Sequence, residues 1–377
     1  MEGDILDSFA LAYVPTEKVA EESRFSVKVN INLWTQCGWN EENPILDIGL
    51  MISNLSDASK VRLYIPFCLK YEELEDLCEC LSKDANLLGA VFNEPYTSID
   101  DLASNSKKAE VIKGRNSKET EFILYKLDFS SEKDVVITSY KNNKGTFLEF
   151  DPHFIKGNAT KDACDRYYLR FRVRTPSLKE CVREYQAPNR YFETLVNSTY
   201  MVDIRFNNTR SMDRSLVQEL TAQDNWSLAP INGLHFLLMT KVDVDVDTNS
   251  RFNSSRALEK DIWNDYVNLD NTTKRSTEDI IAYHSSQKVK AMETDIGSWE
   301  FFTRLKAGKC NAKTIGPYLF LLIFLNIESN FAFNLCLTLL PFKEKAGVFI
   351  AIQVLVLLAI AFVCWRILIW PKRKEKP

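Results

Sequence analysis

Through the first two thirds of the chain, apolar side chains recur at every second position more often than at every third or fourth. Phe25, Val27, Val29, Ile31 and Leu33 alternate with Ser26, Lys28, Asn30 and Asn32, the pattern of a half-buried strand. Strands are likewise predicted over 45–52 and 60–67, where the polar stretch 54–59 between them predicts an antiparallel hairpin. Further runs cover 121–129, 134–140, 146–150, 167–174, 200–206 and 234–246, and Lys141 to Gly145 has the composition of a hairpin turn. Roughly nine strands with few helices predict a mainly β body, antiparallel and sandwich-like or split into two small sheets.

Helical spacing enters in fewer places. Leu74, Leu77, Cys78 and Leu81 predict a short helix over 72–81. Beyond 248 the period changes: Ser255 is placed to cap a helix carrying Leu258, Ile262 and Tyr266, and Ser276 with Asp279 to open another through Ile280, Ile281 and His284. Residues 98–120 are polar and charged and predict a long loop or linker.

The C-terminal pattern is different again. Residues 346–365 are apolar apart from Gln353, a length that crosses a hydrocarbon core of roughly 30 Å as one helix. Residues 315–342 are also mostly apolar but carry Asn326, Glu328, Ser329, Asn330, Asn334 and Thr338. Either two half-length pieces meet near Glu328, or one span runs from the cap Thr314 to Pro341; the single span fits the end signals better. On it Asn326, Asn330, Asn334 and Thr338 form one polar stripe, which either holds helices together or lines a pore. Arg304, Lys306, Lys309 and Lys313 precede the first span, Lys343 and Lys345 lie between, and Arg366, Lys372, Arg373, Lys374 and Lys376 flank the second. That distribution predicts a two-helix transmembrane hairpin with both ends cytoplasmic. Trp299, Arg304, Lys306 and Lys309 are the expected membrane-interface collar.

The resulting division is an acidic, mobile tail over 1–21, a β-rich recognition domain over 22–250 with its polar linker at 98–120, a helical connector and basic collar over 251–313, the hairpin over 314–370 and a basic tail over 371–377.

Charge sharpens this picture. The chain has 47 basic and 51 acidic side chains; eleven basic and three acidic ones lie from Arg304 onward, so residues 1–303 carry 36 against 48, a net of −12. A body that acidic is a poor general nucleic-acid binder. Nine cysteines form no recognisable pairing or zinc pattern. Seven N-x-S/T triplets, at Asn54, Asn158, Asn197, Asn207, Asn225, Asn253 and Asn271, would suit a glycosylated ectodomain, but an Asn- and Ser-rich chain without a signal peptide generates them by composition. Among twelve glycines no two are closer than Gly308 and Gly316, which excludes the glycine-rich phosphate loops and the nucleophile elbow. His153, His235 and His284 belong to no metal or catalytic motif.

Two charged rows remain. Arg170, Arg172 and Arg174 share one face of a strand, and Asp243, Asp245 and Asp247 share one face of another. If those strands are neighbours, the rows neutralise one another as an ion ladder. Otherwise the arginines suit an anionic ligand, and the aspartates suit Mg²⁺ or Ca²⁺. No cofactor is implied. The expectation is a non-enzymatic sensor or effector, with a cytosolic β-rich domain that recognises a ligand or protein. Its self-associating hairpin meets membrane lipid and responds there, in the strongest form by opening a pore, a general plan similar to that of membrane-disrupting effectors of cellular defence. The alternatives are a scaffold whose hairpin is only an anchor, and a tethered metal-dependent enzyme.

Overall fold

A computed structural model describes residues 7–17, 24–35, 43–92, 96, 98–103, 106–113, 117–141, 143–157, 164–185, 197–222, 224–247, 252–269, 277–290, 293–308 and 312–339, with Gly347, Ala351, Val354 and Leu355 beyond them. The chain divides into two compact units, Met1–Lys309 and Cys310–Pro377.

The first unit is mainly β. Its largest sheet has ten strands and runs, edge to edge, β17 (Ser254–Ala257), β18 (Ile280–Lys288), β15 (Ile231–Lys241), β2 (Ser26–Trp34), β3 (Ile45–Ser53), β11 (Arg166–Val173), β8 (Ser117–Tyr125), β7 (Ser106–Lys113) and β6 (Ser98–Ala103), with β5 (Leu74–Asp76) also paired to β11. A five-stranded sheet orders β14 (Ser227–Leu228), β1 (Ala10–Pro15), β4 (Ala58–Ile65), β10 (Gly145–Phe150) and β9 (Val135–Tyr140). A four-stranded sheet orders β12 (Val182–Tyr185), β13 (Asn197–Phe206), β19 (Trp299–Gly308) and β16 (Val244–Val246). Most pairs are antiparallel; β15 with β2 and β11 with β8 are parallel.

The period-two pattern explains the layers, because alternate side chains leave opposite faces of a strand. Val27, Val29, Ile31, Leu50 and Phe236 of the large sheet share one core with Leu63 and Leu148 of the five-stranded sheet and with Val202, Ile204 and Phe301 of the four-stranded sheet. On the other face of the large sheet, helices Cys78–Leu81, Ala85–Phe92 and Lys260–Val267 set Leu81, Leu88, Trp263 and Tyr266 against Trp34, Met51, Tyr168 and Met239. Helix Arg214–Thr221 covers Tyr64, Tyr140 and Phe147 of the five-stranded sheet through Leu216 and Leu220. The large sheet is therefore covered on both faces, and the polar half of its alternation faces a partly buried space rather than bulk water.

Several expectations change. The strands over 45–52 and 60–67 form, but β3 and β4 belong to different sheets, so they make no hairpin. The 141–145 turn does join β9 to β10. The tail over 1–21 supplies β1, with Phe9, Leu11 and Ala12 buried. The linker over 98–120 contains β6, β7 and the start of β8 as an antiparallel meander. Within 72–81 the α-helix is confined to Cys78–Leu81, preceded by a 3-10 turn at Tyr71–Glu73 and by β5. The helix over 255–266 starts later, at Lys260, and 280–288 is the strand β18.

The interface collar is also corrected. Trp299, Phe301, Thr303, Leu305 and Ala307 are buried in β19 while Arg304 and Lys306 point outward, the alternation of a strand and not of an interfacial helix. Lys309 lies outside the described residues.

In the second unit Ala312–Leu339 is one helix, so the chain does not break at Glu328. Among the described residues no helix is long and apolar enough to cross a membrane. Asn326, Glu328, Ser329, Asn330 and Asn334 interrupt the apolar run of this helix. The second arm of the expected hairpin, 346–365, falls almost wholly outside the described residues, as does the tail over 371–377.

Candidate functional site

The helices do not cover the whole outer face of the ten-stranded sheet. Where they stop, a cavity of about 580 Å³ opens between that face and the end of helix Ala85–Phe92. Strand register decides which side chains reach it. One row across the sheet reads Lys288, Gly233, Lys28, Met51 and Tyr168 on β18, β15, β2, β3 and β11. The next reads Ser286, His235, Asn30, Gly49 and Arg170, and the third His284, Leu237, Asn32, Asp47 and Arg172. The wall opposite the basic end is aromatic: Phe92 lies 5.1 Å from Phe122 and 4.8 Å from Tyr168, and Tyr96 lies 5.7 Å from Phe122, between ring centroids.

The floor is a buried ionic network. Arg170, Arg172 and Asp47 are each 0% exposed. Arg172 donates to both oxygens of Asp47, from Nε at 2.7 Å and Nη2 at 3.2 Å, and to the Tyr266 carbonyl at 3.0 Å. Trp34 Nε1 and the Tyr266 hydroxyl each donate to Asp47 Oδ2 at 2.9 Å. Burial alone would push the Asp47 carboxyl up, but Arg172, its hydrogen bonds, Arg170 and Trp34 together hold it below the ordinary carboxylate value. Arg170 donates instead to neutral oxygens, Tyr266 Oη at 2.8 Å and Tyr168 Oη at 2.7 Å. With the Asn32 amide turned so that its oxygen faces Arg170, Nη2 donates to it at 2.7 Å.

Among the described residues, one carboxylate thus serves two buried guanidiniums, hydrogen-bonded to Arg172 and acting on Arg170 through its charge alone. Taking an ion out of water costs several kcal/mol unless opposite charge compensates. The surplus positive charge is spread over phenol and amide dipoles at the floor of a cavity, where an anion would be stabilised.

Basic groups continue up the walls. Lys28 and Lys288 stand on either side of Gly233, and Arg256 and Arg166 line the rim, held by ion pairs with Glu259 at 3.7 Å and Glu121 at 2.7 Å. Between them His235 Nδ1 and His284 Nε2 approach to 3.1 Å with rings nearly parallel, at 6°. Among the described residues, His235 Nε2 has no hydrogen-bond partner. Burial first, then Lys28, His284 and Lys288, lowers the His235 imidazole to about 4. Burial, Arg256 and Lys288 lower His284 in the same direction.

Of the residues expected at a site, Arg170 alone lines the cavity directly. Arg172 braces it through Asp47, and Arg174 pairs with Glu75 at 3.2 Å. The ion ladder does not form, because β11 pairs with β3, β5 and β8 while the aspartates lie in β16 and on either side of it, at the edge of another sheet. There Asp245 registers with Lys306, and Asp247 pairs with Arg304 at 2.7 Å, while Asp243 is exposed in the turn before β16. Among the described residues, no group of three or more His, Cys, Asp or Glu side chains is arranged to hold a metal ion.

The cavity residues missed in the sequence were the polar half of an alternation. Lys28, Asn30 and Asn32 read as a solvated strand face, and His235 and His284 became a pair only through the β15–β18 register. One glycosylation triplet is excluded by the fold, since Asn207 is buried and its amide accepts from Leu11 N at 2.8 Å. No protein-family signature matches the chain, and no curated protein is significantly similar to it.

Proposed function

We propose that the β-rich unit is a recognition domain whose cavity takes an anionic ligand, and that the C-terminal segment over 314–370 attaches it to a membrane, where it self-associates and responds. The observation that supports ligand recognition most strongly is Arg170, a fully buried guanidinium at the cavity floor whose hydrogen-bond partners among the described residues are neutral oxygens. Charge-assisted bonds from Arg and Lys to phosphate or carboxylate oxygens are among the stronger contacts available to such a site. The membrane half rests on the apolar runs and on the stripe. Asn330 Nδ2 donates to Asn326 Oδ1 at 3.0 Å, and Thr338 Oγ1 to the Asn334 carbonyl at 3.1 Å, along an exposed face of helix Ala312–Leu339.

Two measurements test the two halves. Inorganic tripolyphosphate should raise the thermal midpoint of the full chain above that in sodium chloride of equal ionic strength. Lys28→Gln combined with Lys288→Gln should remove the increment and leave the ligand-free midpoint unchanged. An equal midpoint in both salts would refute the anion site. After cell lysis the full chain should sediment with membranes and resist an alkaline carbonate wash; its release into the supernatant would refute the anchor.

A further inference from the structure

The cavity has two chemically different ends. Lys28, His235 and Lys288 belong to β2, β15 and β18, whereas Phe122 belongs to β8 and Phe92 and Tyr96 come from the helix end and the segment that lie against it. Five strand steps separate β18 from β8, each of about 4.8 Å, so a ligand that touches both ends is elongated. A cavity of this volume falls in the range that encloses small organic ligands. An inorganic anion would fill the basic end and leave the aromatic end open. Phe92 and Tyr96, half-buried at this end, pack edge-on and tilted against the buried rings of Phe122 and Tyr168 and give a planar ring an aromatic wall to lie against. Asn30 and Ser53 lie between the two ends and offer both donors and acceptors.

Charge narrows the class further. Residues 1–303 carry a net −12, which opposes approach of a polyanion such as RNA, while a local basic cavity still attracts a small anion. We propose that the cavity's ligand is a nucleotide, its base against Phe92 and Tyr96 and its phosphates between Lys28, His235 and Lys288. This rests on the anion-binding reading and adds the aromatic half of the ligand.

Calorimetric titration of the full chain in detergent micelles separates the two. The probes are the four ribonucleoside triphosphates and inorganic tripolyphosphate, which presents the phosphate chain without a base. At least one nucleotide should bind about ten-fold more tightly than tripolyphosphate, the increment expected for one stacked base. Phe92→Leu should reduce that advantage to about three-fold or less without weakening tripolyphosphate, while Lys28→Gln with Lys288→Gln should weaken both probes. If tripolyphosphate binds and no nucleotide binds more tightly, the nucleotide assignment is wrong and the anion site stands. If no probe binds, both readings fail. An unchanged nucleotide advantage in a folded Phe92→Leu protein would also overturn the placement of the base.

Discussion

Asp47 carries more of the site than any residue that touches the cavity. Among the described residues its carboxylate is the one that hydrogen-bonds the buried Arg172 and acts on the buried Arg170 by charge, and Trp34 and Tyr266 spend their polar hydrogens on it as well. Replacing it with Asn preserves the shape and removes the charge, leaving Arg170 and Arg172 buried without a counter-ion. Removing one partner of a buried pair typically costs about 3–5 kcal/mol, and Asp47→Asn should lower the unfolding free energy by about that amount in urea titration. A change below about 1 kcal/mol would show that the guanidiniums are solvated and that the floor holds no stored charge. Gly49, on the same strand, has a different task. A methyl group there would run into the Tyr168 hydroxyl, the same oxygen that accepts from Arg170, so the missing side chain lets the phenol lie across the sheet and meet the guanidinium.

At the scale of elements, the strands themselves were legible and their partners were not. β2, β3, β11 and β13 fall close to the positions that alternation marks, because each buries a continuous apolar face. Alternation says nothing of which strand lies alongside, and for that reason 45–52 and 60–67 read as a hairpin although they serve separate sheets. Residues 98–120 have few large apolar groups, Ile99, Leu102, Val111 and Ile112, and these do not alternate, so strands that form there by backbone pairing left no pattern to find. The same indifference to partnership hid the cavity, whose residues come from strands far apart in the chain. Helix Lys260–Val267 ties these strands to the floor. It fully buries Trp263 against Trp34, at 6.0 Å between ring centroids, and presents Tyr266 to both arginines. Trp263→Ala should cost about 3–5 kcal/mol by the usual measure of a large aromatic deletion. The loss should extend to function, with weaker tripolyphosphate binding in the folded fraction, because Tyr266 is then no longer held. Unchanged affinity there would show that the helix is packing alone.

Over the molecule as a whole, proton binding should couple stability to ligand in opposite directions. His235 is held neutral by burial and by the positive groups that face it, Lys28 from β2, Lys288 and His284 from β18, with Arg256 of β17 beside His284. Its folded value of about 4 lies below the ordinary 6.5, so the unfolded chain takes up the proton more readily. The stability this contributes is complete above pH 6.5 and is lost as pH falls toward 4. An anion beside Lys28 and Lys288 reverses the local field and raises the imidazole, so binding takes up a proton and acidification strengthens it, as linkage requires. Lowering pH from 7 to 5 should therefore reduce the stability of the ligand-free protein while tightening its grip on tripolyphosphate relative to a His235→Asn variant. That variant meets the same titration of the phosphate itself, which removes the ligand's own protonation from the comparison. Parallel affinity profiles for the two proteins would place the imidazole outside the bound anion's field, and with it the phosphate end of the cavity.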